Sequence, residues 1–272
     1  MATSEIFDMD TNTEALGRRL IEAGYPPLSI KAGNGRVQSG VIRGREPANG
    51  YTRGVGLEFG QLARELREHP LYLEALEVSR RRSVVIESRL MNLFLLIAFY
   101  FDALQDHNVA EFGAYRGGSS LFMAHLLKRL YPQANMYAFD TFEGMPPVDS
   151  SADFHLKGDF SDSDFPGLVQ ARQQSKLDNL QLVKGLVQDT FPRQVPVGTR
   201  FGLAHFDMDI YEPTAYAQSV AWAMMTRGGY FVYDDATVST CIGATQAVED
   251  LTRSRGLHCE QIYPHFVFRV GL

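Results

Sequence analysis

The chain predicts a doubly wound α/β fold with a mostly parallel sheet, and three observations point to it. After Asn108, short apolar runs alternate with helical patterns, as they do when each parallel strand is followed by a crossover helix. The first run ends in a glycine-rich turn, Glu111-Phe112-Gly113-Ala114-Tyr115-Arg116-Gly117-Gly118-Ser119, where such sheets open a ligand crevice. Two later runs end in carboxylates, Asp207-Met208-Asp209 and Asp234-Asp235.

Up to about Gly60 the sequence is irregular. Leu16, Leu20 and Ile21 share one side of a short helix over Thr13–Ala23, which Pro26-Pro27 ends. The stretch from Ala32 to Gly50 is rich in Gly and basic residues, so it reads as a mobile lid. Leu71, Leu73, Ala75 and Leu76 mark a helix after Pro70, and Arg80-Arg81-Arg82 reads as its solvated continuation. A long helix over Val85–Leu104 is apolar on most sides and therefore buried. Its run from Leu93 to Phe101 is too short to span a bilayer. Residues 1–84 are thus assigned to an N-terminal helical or irregular lid and 85–272 to the sheet domain.

Within that domain the strands are expected at Val109–Phe112, Met136–Phe139, Leu180–Val183, Gly202–Phe206 and Tyr230–Tyr233. The helix after the first begins near Ser119. Gly228-Gly229 supplies a tight turn into the fifth strand, and a helix follows over Gly243–Arg253. His258–Ile262 and His265–Val270 read as an antiparallel hairpin around Tyr263-Pro264 at the sheet edge.

Of the 272 residues, 45% are hydrophobic and 21% charged, an ordinary globular composition. A net charge of -6 argues against electrostatic binding of nucleic acid, since nothing offsets the phosphates. Cys241 and Cys259 are the only cysteines and have no metal-ligand spacing. A cytoplasmic, reducing setting is expected, with no leader peptide visible and no membrane association.

The glycine-rich turn narrows the cofactor. A dinucleotide site needs bare backbone at this turn, but Ala114, Tyr115 and Arg116 crowd it. No Gly-Lys-Ser/Thr follows, which removes the P-loop alternative. S-adenosylmethionine fits, having no phosphate but carrying an ammonium, a carboxylate and a sulfonium. Glu111 is expected to pair with the ammonium, directly or through water. Gly113 and its flanking backbone approach the methionine moiety, and Ser119 with the helix N-terminus takes the carboxylate. Asp140, at the end of the second strand, accepts from the ribose hydroxyls. Asp207, Asp209, Asp234 and Asp235 would repel one another at neighbouring strand ends unless a cation neutralised them. An all-oxygen set suits a hard divalent ion, Mg²⁺ first.

Five segments then carry a resemblance: Glu111 to Ser119, Asp-Thr-Phe-Glu-Gly-Met-Pro (Asp140 to Pro146), Gly185 to Pro192, Asp-Met-Asp-Ile-Tyr-Glu-Pro-Thr (Asp207 to Thr214) and Gly228 to Asp235. In this order they resemble the macrocin O-methyltransferase family, over about Arg89 to Val270. The resemblance implies a class I methyltransferase fold and an S-adenosylmethionine- and Mg²⁺-dependent enzyme methylating hydroxyls of small glycosylated acceptors. It implies Asp207, Asp234 and Asp235 as metal ligands and Asp209 as general base, although some members use a nearby histidine. It implies Asp140, Thr141, Phe142 and Gly144 as the adenosine turn, with Phe142 against the adenine. Ala114, Tyr115, Gly117 and Asp207 complete the expected cofactor set. Leu186-Val187 stand where many members have an aromatic pair. Assembly into a homo-oligomer is also implied, with Leu93–Phe101 as one contact surface. His205 is read as a core histidine, Tyr211 as a residue that closes over substrate, and Thr214 as a local hydrogen-bonding residue. A catechol or caffeoyl-CoA type O-methyltransferase, sharing the metal site, is the nearest rival, and a non-catalytic cofactor-binding module is a more distant one.

Overall fold

The computed structural model describes residues 17–27, 61–79, 82–262 and 264–271. Six strands form one sheet in the order β3-β2-β1-β4-β5-β6: β1 (Asn108–Phe112), β2 (Met136–Asp140), β3 (Leu180–Lys184), β4 (Phe201–Phe206), β5 (Met225–Tyr233) and β6 (Phe266–Arg269). The first five are parallel, and β6 runs antiparallel to β5. Strand order reverses between β1 and β4, so the ligand crevice of this topology falls at their C-terminal ends.

The central strands are buried along almost their whole length because both faces are covered. Val109, Met136, Leu203 and Val232 join one core with α3 (Pro70–Ser79), α4 (Glu87–Leu95) and α5 (Gly118–Leu130). Ala110, Phe139, Phe206 and Phe231 join the other with α8 (Tyr211–Trp222) and α9 (Ile242–Arg255). Three further helices, α2 (Gln61–Glu68), α6 (Phe165–Gln174) and α7 (Val187–Thr190), complete the frame with α1 (Arg18–Glu22). Asp164 caps α6 by accepting from the Gly167 amide, with Pro166 in the first turn.

Several expectations are corrected. The helix expected over Val85–Leu104 is α-wound only to Leu95, then π-wound over Leu96–Tyr100 and 3₁₀ over Phe101–Ala103. A run apolar on every side has no periodicity in which a change of pitch can be read. Leu93 and Phe101 have no exposed surface and Phe99 is buried, so most of this run is interior, with Tyr100 its exposed residue. Gly228-Gly229 lie inside β5 rather than before it. They sit where the β4 register skips from Phe201↔Met225 to Leu203↔Tyr230, with Gly228 at φ 78°. Only the second arm of the edge hairpin is a strand; the first contributes a single bridge, Gln261↔Val267. The start of the Thr13–Ala23 helix, the Gly-rich stretch read as a lid, Arg80, Arg81 and Tyr263 fall outside the described residues. Among the described residues no helix is long and apolar enough to cross a membrane.

Candidate active site

A cavity of about 260 Å³ opens at the C-terminal ends of β1, β2, β4 and β5. Its first wall is the turn after β1. Gly113 has φ 94°, and a Cβ there would lie 1.7 Å from the Asp207 carbonyl oxygen, so only glycine lets this turn pass the end of β4. Tyr115, at φ 50°, points its amide at Asp140 Oδ2, 2.7 Å away, and the Phe142 amide donates to Oδ1 at 2.6 Å. Burial raises the Asp140 carboxyl above its ordinary value, against the pull of those two amides. Gly113, Tyr115, Asp140, Thr141 and Gly144 all line the cavity, as do Leu186 and Val187.

Other residues assigned to the cofactor stand behind this wall. None of Glu111, Ala114, Gly117, Ser119 or Phe142 lines the cavity. Gly117 caps α5 in the left-handed conformation, with Leu168 where its Cβ would be. Ser119 is buried, and Phe142 packs on Phe165 with ring centroids 4.6 Å apart. Glu111 has no exposed surface; Ser120 Oγ donates to it, and His205 Nδ1 lies 3.0 Å from Oε1. That placement corrects a direct pairing of Glu111 with a ligand in the cavity. The two residues are register partners on β1 and β4 whose side chains share the face covered by α3, α4 and α5.

The second wall is acidic. Asp207, Asp234 and Asp235 each offer an oxygen within 4.8 Å of the others'. Burial, then the neighbouring carboxylates, push Asp207 and Asp235 well above the carboxylate range. Asp234 goes the other way: despite burial, His205, His265 and Arg89 surround it and hold it charged. Arg89 pairs with its Oδ2, and His265 Nε2 lies 3.0 Å from Oδ1. Burial alone would discharge the His205 ring, yet Asp234 and Glu111 on either side push its pKa up to about 9. His205 is therefore a core histidine, as expected, but a charged one.

Asp209, at φ 61°, turns back over this cluster, and its amide donates to Asp235 Oδ2 at 3.1 Å. Burial raises its carboxyl too, although Cys241 and His155 act against the rise. Cys241 Sγ donates to Asp209 Oδ1 at 3.0 Å, and His155 Nε2 is 3.9 Å from the same oxygen. Tyr211 does not reach the cavity: its hydroxyl donates to Asp250 and its amide to Asp153. Thr214 bonds the Ile210 carbonyl, a local role as expected.

Four side chains of the site carry no signal in the sequence: Arg89, His155, Cys241 and His265. Arg89 and His265 meet Asp234 from positions 145 and 31 residues away. His155 and Cys241 come from separate connections. Only the pairing of β6 with β5 and the folding-in of the β2–α6 connection bring them together.

An all-oxygen cluster in which neighbouring carboxylates raise one another's pKa fits a hard divalent cation. Arg89 and His265 each hold one Asp234 oxygen, so an ion bound at these carboxylates would share Asp234 with them.

The calicheamicin methyltransferase CalS11 has a similar fold, with a TM-score of 0.61 at 22% identity over 78% of this chain and 91% of that one. A tetracenomycin 4'-O-methyltransferase of Streptomyces olivaceus, acting on the 8-(2,3-dimethoxy-α-L-rhamnosyl) compound, is 30% identical over 146 residues, 49% of this chain. Mycinamicin III 3''-O-methyltransferase of Micromonospora griseorubida is 24% identical over 155 residues, 53% of this chain. The matches span 54% and 60% of the length of these curated relatives. The macrocin-O-methyltransferase (TylF) family matches residues 82–262, which takes in both walls of the cavity and more than half of the chain. On that match, the chain belongs to the macrocin O-methyltransferase family.

Proposed function

We propose that this protein transfers a methyl group from S-adenosylmethionine to a hydroxyl of a glycosylated small molecule, with a hard divalent cation, Mg²⁺ first, at Asp207, Asp234 and Asp235. The observation that carries the reading is that one cavity is lined both by Asp140, presented by two amides, and by three carboxylates close enough to share an ion. Both curated relatives are named for O-methyl transfer, one of them to a rhamnosyl compound. Two free cysteines, one buried and one exposed, suit a reducing compartment.

When bound, the cation supplies Lewis-acid polarisation of an acceptor hydroxyl. The chain's own groups do the rest. Asp140 accepts from ribose hydroxyls while Gly113 admits the donor close to the end of β4. Asp209 is the base; burial raises its carboxyl pKa, which makes it a better proton acceptor than an exposed carboxylate. Holding donor and acceptor in one cavity contributes about 7–11 kcal/mol towards the barrier when the reacting atoms are aligned. Glu111, His205 and Asp234 form a buried row in which the His205 ring helps keep Asp234 ionised.

The test is transfer of labelled methyl to a panel of glycosides bearing vicinal hydroxyls and to catechols, with and without EDTA. Transfer to glycosides that stops with chelation and returns with Mg²⁺ is expected. Transfer that survives EDTA removes the metal from the reading, and transfer confined to catechols replaces the acceptor class.

A further inference from the structure

The β2–α6 connection lines the cavity through Met145, Pro146 and Phe160, and it brings a second donor set of different chemistry. His155 Nε2 lies 3.9 Å from Asp209 Oδ1 and 3.8 Å from Cys241 Sγ, and the thiol is 3.0 Å from that oxygen. One nitrogen, one oxygen and one sulfur thus form a triangle. In a tetrahedral zinc site, bonds of about 2.0–2.1 Å to N and O and 2.3 Å to S put neighbouring donors roughly 3.3–3.6 Å apart. The three sides here bracket that range.

The far side of the ring supports the same reading. His155 Nδ1 lies 3.3 Å from Asp159 Oδ2, which the Leu156 amide also holds at 3.0 Å. A carboxylate behind the imidazole fixes the tautomer of a metal-ligating histidine. With Nδ1 turned to Asp159, Nε2 is the ring atom that faces Asp209 Oδ1 and the Cys241 thiol.

We propose that His155 Nε2, Cys241 Sγ and Asp209 Oδ1 bind a borderline-soft divalent cation such as zinc, with a fourth position open to the cavity. The mixed N, O and S set selects against magnesium, which keeps to oxygen. This site goes beyond the function proposed above and shares no ligand with the Asp207, Asp234 and Asp235 group. Burial and the Asp235 and Asp209 carboxylates push the Cys241 thiol up, so it binds as thiolate only by releasing its proton to solvent as the cation arrives. The ion would occupy an oxygen of the proposed base. Hard cations would then support turnover while soft ones stop it.

Cobalt(II) alone, titrated into the full chain carrying Cys259→Ser, is the probe. Cys259 is replaced because it is the exposed thiol. One equivalent is expected to bind with a thiolate-to-cobalt charge-transfer band, and zinc is expected to displace it. Cys241→Ser should remove that band. His155→Ala should weaken binding by about tenfold or more while leaving the thiol in place. Asp207→Asn should leave the band intact, which separates this site from the magnesium reading whatever becomes of that one. Absence of the band, its survival in Cys241→Ser, or its loss in Asp207→Asn would each overturn the proposal.

Discussion

Two acidic rims line the same cavity and handle charge by different means. At the ends of β1 and β2, Asp140 receives a backbone amide on each oxygen, and these amides offset part of the cost of burying its charge. At the ends of β4 and β5, Asp235 receives one amide, and among the described residues no hydrogen bond to the Asp207 carboxylate is found. The cations beside that wall, Arg89 and His205, both sit at Asp234. A carboxylate already satisfied by amides can take neutral hydroxyls through its remaining lone pairs. Crowded carboxylates that lack such partners call for a cation. On the proposed reading the same residue type serves two ligands, and the backbone around it decides which.

The largest effect should come from breaking the second rim. Asp207→Asn removes a carboxylate from the proposed ion site and should lower kcat by about 10²–10³-fold. Binding of demethylated cofactor, measured by calorimetry, should stay close to wild type. If that binding collapses as well, Asp207 belongs to the cofactor wall and the division between the rims fails.

A smaller effect is expected at the first rim. Asp140→Asn keeps the shape but replaces a charged acceptor, and one such hydrogen bond is worth about 1.5–3 kcal/mol. Demethylated cofactor should therefore bind roughly tenfold to a hundredfold more weakly, whether or not Mg²⁺ is present. Dependence of that loss on Mg²⁺ would merge the two rims into one.

The contrast between the rims was only half legible in the sequence. Carboxylates after apolar runs placed Asp140, Asp207, Asp234 and Asp235 at strand ends, because strand C-termini in a parallel sheet are a local and periodic feature. What each carboxylate meets is not local. The amides that satisfy Asp140 exist because Tyr115 and Phe142 adopt positive φ, a conformation their identities do not announce. Glu111 looked like a ligand because it ends a strand beside glycines. Its side chain alternates onto the face covered by α3, α4 and α5, where it meets His205. Arg89 and His265 reach Asp234 only through tertiary packing, and π winding within Leu96–Tyr100 leaves no mark in a run with no polar face.

The smallest effect is also the sharpest test of what crowding costs. Folding raises the pKa of Asp207 and Asp235, so the folded chain holds their protons more tightly than the unfolded chain does. Their contribution is fully present below an unfolded pKa of about 3.9 and is lost as pH rises towards the folded values. His265 works against this trend: burial pulls its pKa down to about 4, which adds stability as pH rises from there to about 6.5. Comparing wild type with Asp235→Asn subtracts the histidine term. In EDTA at pH 7, denaturant unfolding should show Asp235→Asn more stable than wild type by about 1 kcal/mol, with a flatter decline above pH 4. Mg²⁺ should stabilise wild type and leave the variant nearly unchanged. If the metal-free variant is instead the weaker protein at pH 7, Asp235 serves the fold through the Asp209 amide, and the second rim was never in need of a cation.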